Sequence, residues 1–440
     1  MGIPATAIVL AEFYEQEKEK ALQEGMPGIR TQWIQGPVWA KTREQLRRDV
    51  MEGNNPISGR PVMQEIIEKF TERLTAEEKK TGEIKRDRGP ETYTGTREEL
   101  HQLFLEKRFT DFLPIVLPTP ERVDEMLKGT SHDPDEIVGR MSPTNTGDYF
   151  EYWTFTVRDV AVNAVMAGCK PEYLPILLAV ASPDPNTGRS KEAISISDNG
   201  FVGALVINGN IRNEIGLNYD VGAVGPYAHA NTAIGRAWSL MAINLGNCGK
   251  PGTTYMGVIG NPMNLINIVI AENEEKSPFK PFSVRKGFEE GENVVSLFEG
   301  WGILSAANWA VNRWGGDMDY PQIMKDIAAQ QGFLFGSCFV LSPPIANFVK
   351  ARFDTIEELE GWLAPPPPQF PGFAKPKPAA EGDAPAAKGD APAAKKPMPK
   401  MPAFGGFSNT SIIVTGASNN NYWSAGGLRY SRSIKIDDWR

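Results

Sequence analysis

The chain has 440 residues, a net charge near −8, 23% charged and 41% apolar residues. This length exceeds one ordinary core and predicts two globular units with tails, while the acidic balance excludes the broad basic surface of a nucleic-acid binder. No apolar run reaches the roughly 18 residues of a membrane span, and three widely spaced cysteines without a Cys-x-x-Cys pair exclude a disulfide framework and fit a reducing, cytoplasmic setting.

At the amino end, AIVL predicts a short strand, residues 13–23 a charged amphipathic helix closed by Gly25 and Pro27, and IRTQWIQGPVW a second strand and loop. Strand–helix–strand is an α/β fragment too small to bury a sheet alone, so its missing strands are expected from another subunit. Residues 41–83 and REELHQLFLEKRF carry helical, charge-rich patterns, and 1–110 reads as an incomplete α/β arm. A main domain is expected over 111–363. In LPTPERVDEMLKG, Thr119 suits an N-cap, Pro120 the first turn, and Val123, Met126 and Leu127 a buried stripe. A polar, aromatic loop (130–153) precedes a helix over 156–167 that ends at Gly168.

The middle alternates: ALVINGN as strand, HANTAIGRAWSLMAINLG as helix, LINIVIAENEE and NVVSLFEGWG as strands, YPQIMKDIAAQQG as helix, GFLFGSCFVLSPP as strand, and DTIEELEGWL as a helix capped by Asp354. The interleaving predicts an α/β (or α+β) fold with a mixed-sheet core, and no fixed-period repeat stands out. Residues 364–407, rich in Pro, Ala and Lys, predict an extended low-complexity linker. Residues 408–440 hold SIIVTG and SIKIDDW, two strand patterns that need a docking surface on the main domain or on another subunit.

Three stretches offer chemistry. In NAVMAGCKPEYLP, Cys169 follows a helix end beside Lys170, Glu172 and Tyr173. A thiol there acts as a nucleophile if cations lower its pKa, and is otherwise a buried filler; the helix C-terminus has the wrong dipole sign for a thiolate. In GPYAHANTAIGRAW, His229 opens a helix whose first amides suit a carboxylate or phosphate, with Asn231, Thr232 and Arg236 close behind. It is a candidate general base or a capping-loop imidazole. In AENEEKSP, Glu272 and Glu274 end an apolar strand on one side, with Asn273 on the other. That is where open α/β sheets bind ligands, so the pair is a candidate acid/base or a solvated turn. NGN (208–210) and TNTGDYFEYW (144–153) supply polar and aromatic groups for a small polar molecule. Cys169, Cys248 and Cys338 would hold an iron–sulfur cluster or zinc if they converged, although no spacing motif marks them. Phosphate-loop, His-Glu-x-x-His and Gly-x-Ser-x-Gly patterns are absent.

The stretches LPTPERVDEML, DEIVGR, VAVNAVMAGCKPEYLPILLAV, NGNIRNEIGLN, HANTAIGRAW and IAENEEKSPF resemble proteins encoded alongside, or fused to, the UGSC family of thiol or selenol proteins. AIVLAEFYEQEKEKALQEGMPGIR resembles the later half of a UGSC-family domain, without the half that carries its redox-active Cys or selenocysteine; FGSC at 335–338 echoes that motif only superficially. The resemblance implies a partner subunit bearing the missing half-domain and a reactive Cys or selenocysteine. It also implies thiol-based reductive chemistry, such as carbon–heteroatom bond cleavage, on a small polar or carboxylated molecule. Asn163, Cys169, Lys170, Glu172 and Tyr173 match its longest motif, and Asn231, Arg236, Glu272, Asn273 and Glu274 match two others. The expected function is thus a subunit of a cytoplasmic hetero-oligomeric oxidoreductase, with a metal- or acid/base-dependent lyase or hydratase, or a scaffold ordering a thiol-bearing partner, as alternatives.

Overall fold

The computed structural model describes residues 5–23, 25–38, 41–80, 92–141, 153–184, 200–246, 248, 260–305, 319–331, 336–364, 410–419 and 421–440. The stretch 142–152, with most of TNTGDYFEYW, and the linker 365–409 lie outside them.

In the arm, Ala7–Leu10 (β1) pairs in parallel with Thr31–Ile34 (β2). Helices Tyr14–Gln23 (α1), Arg43–Met51 (α2) and Val62–Thr71 (α3) accompany them. Thr42 and Gln45 cap α2 reciprocally, as a Thr-x-x-Gln start permits. Glu65, projecting inward from α3, accepts hydrogen bonds from Ser58, Asn55 and Gln32. Against the desolvation that opposes them, those donors hold its carboxyl down at about 2. Ile8 remains 54% exposed, so this two-stranded sheet is uncovered on one side.

From Arg97–Glu106 (α4) onward the segments share one core. Leu100 and Phe104 of α4 pack on it, followed by Pro120–Leu127 (α5), Val157–Met166 (α6) and Leu174–Ala181 (α7). Ile137–Met141 (β3), within the stretch expected to be a loop, pairs antiparallel with Trp153–Thr156 (β4), which starts at the end of that stretch and leaves Thr156 as the N-cap of α6. Gly168 ends α6 with φ +79, and the Cys169 N–H closes the turn on the Ala164 carbonyl.

The rest of the chain builds the central sheet. Its strands are Val202–Asn208 (β5), Ile268–Ala271 (β6), Val294–Ser305 (β7), Ser337–Leu341 (β8), Thr410–Val414 (β9) and Trp423–Lys435 (β10). Between them lie Ile211–Glu214 (α8), His229–Leu245 (α9), Phe282–Arg285 (α10), Tyr320–Gln331 (α11), Pro343–Lys350 (α12) and Ile356–Leu363 (α13). The sheet order is β6-β5-β7-β10-β8-β9, with β5–β6 and β8–β9 parallel and the rest antiparallel, so the fold is mixed α/β.

The sheet curls until its two edge strands meet. The Asn273 N–H donates to the Val414 carbonyl at 2.8 Å, and the Thr415 hydroxyl donates to the Ala271 carbonyl at 2.7 Å. The strands therefore enclose an apolar interior to which all six contribute, including Val202, Ala204, Ile270, Phe298, Ile413 and Leu428. Alternation along each strand sends the other residues outward. Leu205, Ile207, Val269, Val295 and Leu297 pack under α6, α7 and α9, while Phe339, Leu341, Ile412, Val414 and Trp423 pack under α11, α12 and α13. Gly203 leaves space for the Trp238 ring of α9, which a Cβ would approach to 2.4 Å.

A repeat unseen in the sequence emerges here. Each half runs strand, helices, parallel strand, antiparallel strand: β5-α8-α9-β6-β7 and β8-α12-α13-β9-β10. Ile207 pairs with Ala271 and Val295 as Leu341 pairs with Val414 and Trp423. The two halves join through β7 and β10, related by an approximate two-fold axis. Unequal connections conceal the period: Glu272–Asn293 carries α10, whereas Thr415–Tyr422 carries no helix.

The carboxyl-terminal segment thus returns to this chain's own sheet, where β10 is a central strand. SIKIDDW is only partly strand: Asp437–Trp439 turns into a 3-10 helix. Thr355, not Asp354, caps α13 by accepting from the Glu358 N–H. The tail is fastened by His132, which stacks on Trp439 at 4.9 Å and bonds Glu136 (2.9 Å) and the Asp438 carbonyl (2.8 Å). The Asp438 carbonyl first, then Glu136, raises its pKa. The raised folded value means that His132 stabilises fully below the unfolded value of 6.5 and loses this contribution as pH rises through the folded one. His132→Gln should therefore flatten the pH dependence of melting above 6.5, read by thermal unfolding at a pH series; an unchanged slope would remove this role.

Candidate functional site

The two ends of the barrel are built from equivalent positions but differ in what fills them. At one end, β5 and β6 finish at Asn208 and Glu272. The Phe282 ring of α10 plugs this end, 5.3 Å from Phe298 and 5.4 Å from Tyr430 between ring centres. Glu272 Oε2 accepts from the Phe282 N–H at 2.7 Å and from Asn208 Nδ2 at 2.6 Å. Its Oε1 is buried without a partner among the described residues. Burial raises this carboxyl's pKa, with the Arg285 charge opposing the shift only in part.

At the other end, Ser342 and Thr415 follow β8 and β9, Tyr422 lines the mouth, and among the described residues no phenylalanine takes the place that Phe282 holds at the closed end. A cavity of about 820 Å³ opens there. Val340 and Ile303 form its inner wall, Ser342, Thr415 and Ser424 its polar floor, and the glycine-rich turn 221–226 its rim. Asn231 borders it from the first turn of α9, but its amide is spent on structure: it bonds the Asn218 N–H at 2.9 Å and the Val269 carbonyl at 3.1 Å, pinning the rim loop to the β6 edge. Among the described residues lining the cavity, none is Cys, His, Asp, Glu, Lys or Arg. The size falls in the range of small-molecule pockets, and the uncharged lining selects a neutral polar guest over an ion.

Thr232 lines the cavity beside Asn231, and the other predicted residues divide into two groups away from this lining. His229, exposed at the start of α9, lies 3.2 Å through Nδ1 from the Tyr173 hydroxyl. Cys169 neighbours Tyr173 and is half-buried, packed against the main core. Burial pushes its thiol well above the ordinary range, and the Arg236 charge offsets little of this. Arg236 is itself committed to a bidentate pair with Asp111 at 2.8 and 2.9 Å. Asn163 ties α6 to α9 by accepting from Asn244 Nδ2 at 2.8 Å. Lys170 and Glu172 are exposed.

The acidic turn forms the second group. Glu274 accepts from Asn208 Nδ2 and the Gly209 N–H, both at 2.9 Å, and pairs with Arg212 at 3.2 Å. Asn273 donates to the carbonyls of Tyr219 and Gly416, both at 3.1 Å. These groups brace the β6 end, and Glu272 is fully buried rather than facing a cleft.

The conditional metal site is not assembled. Cys169 lies against the main core, Cys248 beside Ala242 and Ile243, and Cys338 inside the barrel, where burial raises its thiol to about 12. Among the described residues no three His, Cys, Asp or Glu side chains gather to hold an ion.

A half-buried thiol whose pKa is raised reacts slowly. At pH 7.5, Cys169 is expected to alkylate with iodoacetamide at least about tenfold slower than free cysteine, measured by peptide mass spectrometry. Faster labelling than free cysteine would restore it as a nucleophile.

Sequence reasoning missed Ser342, Thr415, Ser424 and Ile303. The signal for them was the strand ends LVLS-like in pattern, FVLS at 339–342 and IIVT at 412–415, which mirror LVIN and IVIAE. No helix among the described residues is long and apolar enough to cross a membrane. No protein-family model, curated protein or solved structure matches the chain.

Proposed function

We propose that this chain is a substrate-binding subunit that holds a small, uncharged polar molecule in the open mouth of the barrel. The observation that carries the reading is the cavity of about 820 Å³ whose described lining offers hydroxyls and apolar walls but no Cys, His, Asp, Glu, Lys or Arg side chain. Such a lining binds and orients; its described polar side chains are hydroxyls and amides, with no imidazole, carboxylate, amine or thiol among them. None of the chain's own cysteines is among the described lining: Cys169 is half-buried against the main core and Cys338 lies inside the barrel, each with its thiol pKa raised by burial, and Cys248 is buried beside α9. The resemblance to UGSC-associated proteins supplies the complement: thiol-based reductive chemistry in which the reactive Cys or selenocysteine comes from a partner subunit. The uncovered β1–β2 sheet supports a partner, since parallel sheets are ordinarily buried on both faces.

Ser424→Phe tests the binding site by placing a ring into the mouth from a half-buried position. Native mass spectrometry of the purified full chain, and thermal shifts with a panel of neutral amides and alcohols, should show a small molecule bound to the wild type. The variant should bind it at least about tenfold more weakly at an unchanged melting temperature. A panel that shifts neither protein, with no molecule retained by the wild type, would overturn the reading.

A further inference from the structure

The approximate two-fold axis identifies what the open cavity is shaped to take. Strand pairing equates Asn208 with Ser342, Glu272 with Thr415, and Ser296 with Ser424, because Ile207, Ala271 and Val295 are related as Leu341, Val414 and Trp423 are. On the facing strand, the Phe298–Tyr430 pair is equivalent to Gly426–Ile303. At the closed end these positions enclose a benzyl group, the Phe282 side chain, which is wholly buried against Phe298 and Tyr430 with its amide N–H on Glu272.

At the open end Gly426 stands where Phe298 does, the described residues of the β9–β10 connection form no helix, and the cavity is bounded by Ile303, Val340, Ser424 and Thr415, with Met263 and Tyr422 at its side. Resting on the binding role proposed above, we infer that the ligand carries an aromatic ring. The ring enters between Ile303 and Val340 as Phe282 enters the closed end, and a neutral hydrogen-bond donor lies beside Thr415. Thr415 already donates its hydroxyl proton to the Ala271 carbonyl at 2.7 Å, so toward a ligand its oxygen is left as an acceptor. That polarity matches Glu272, which accepts from the Phe282 amide. The chemical class is therefore an uncharged arylalkyl amide or a similar donor-bearing aromatic.

N-phenethylacetamide reproduces the amide N–H and benzyl group of a phenylalanine residue, and N-butylacetamide keeps the amide without the ring. After dialysis of the full chain, NMR titration should show the phenethyl probe binding one to one. Its ring protons should give Overhauser contacts to the Ile303 and Val340 methyls, and N-butylacetamide should bind at least about tenfold more weakly. Ser424→Phe should abolish these contacts. Equal affinity for both amides, or ring contacts elsewhere on the protein, would overturn the inference. So would failure of both amides to bind a wild type that still retains a ringless native molecule sensitive to Ser424→Phe; that last result leaves the binding role standing. Loss of both the probe and any retained molecule fails the two together.

Discussion

Replacing Gly300 with alanine is expected to prevent the barrel from folding. Gly300 lies where β7 crosses β10 at the internal two-fold axis, with φ +155 and Leu428 opposite. A Cβ there would stand 1.9 Å from the Gly427 carbonyl oxygen, and across the axis a Cβ on Gly426 would stand 2.0 Å from the Gly302 carbonyl. Both obstacles are backbone, held by pairing on either side, so no flexible side chain can yield. Relief requires moving the central strands apart, which breaks the ladder joining the two halves. A loss above about 4 kcal/mol is a large share of the 5–15 kcal/mol of an ordinary domain, and the expected readout is insoluble expression or loss of the cooperative urea transition. Gly361→Ala is the matched control. It lies within α13 with open space around its Cβ, and alanine there should stabilise by about 0.5–1 kcal/mol. A Gly300→Ala protein that unfolds at the wild-type urea concentration would show that the central strands are not locked at this crossing.

That crossing also explains what the sequence conceals. The helices over 157–166 and 229–245 were legible because each has a clear stop and a mixed apolar face. Leu174–Ala181 escaped because it is buried all round, which erases the 3.6-residue period, and Pro343–Lys350 because its two opening prolines fall within the strand pattern GFLFGSCFVLSPP. The strands could be found from their β-branched runs, but their order could not: β10 lies between β7 and β8 although the linker and β9 separate it from both in sequence. The cavity was least legible of all. It exists through omissions, a glycine at 426 and a short connection after β9, and an omission carries no residue pattern. The prominent polar residues pointed instead to Glu272, Glu274, Asn273 and Arg236, which are conspicuous because buried polar groups need partners, and each proves to be engaged in bracing. Of the predicted residues, Asn231 and Thr232 also border the cavity, and Asn231 does so while holding its rim.

Glu272→Gln and Glu272→Leu should affect stability in opposite directions at neutral pH. The wild-type carboxyl is surrounded by the barrel end, and desolvation, the largest influence, raises its pKa from 4.5 despite Arg285 and the two hydrogen bonds it accepts. Both bonds go to Oε2, and Oε1 is buried without a partner among the described residues. A raised folded value means that the folded state keeps this proton longer than the unfolded one. Its stabilising contribution is complete below 4.5 and is lost as pH rises through the folded value. Glutamine keeps one oxygen for the Phe282 and Asn208 donors and cannot ionise, so Glu272→Gln should match the wild type in acid and exceed it at neutral and alkaline pH. Leucine removes the acceptor altogether. The Phe282 N–H is then stranded inside the barrel, at roughly 1–3 kcal/mol for an unsatisfied group, Asn208 keeps only its bond to Glu274, and the Phe282 plug loses its anchor. Urea unfolding at a series of pH values separates the cases: a glutamine curve parallel to the wild type throughout would mean that the carboxyl titrates alike in both states, and a leucine variant as stable as wild type would mean that Phe282 holds its place by packing alone.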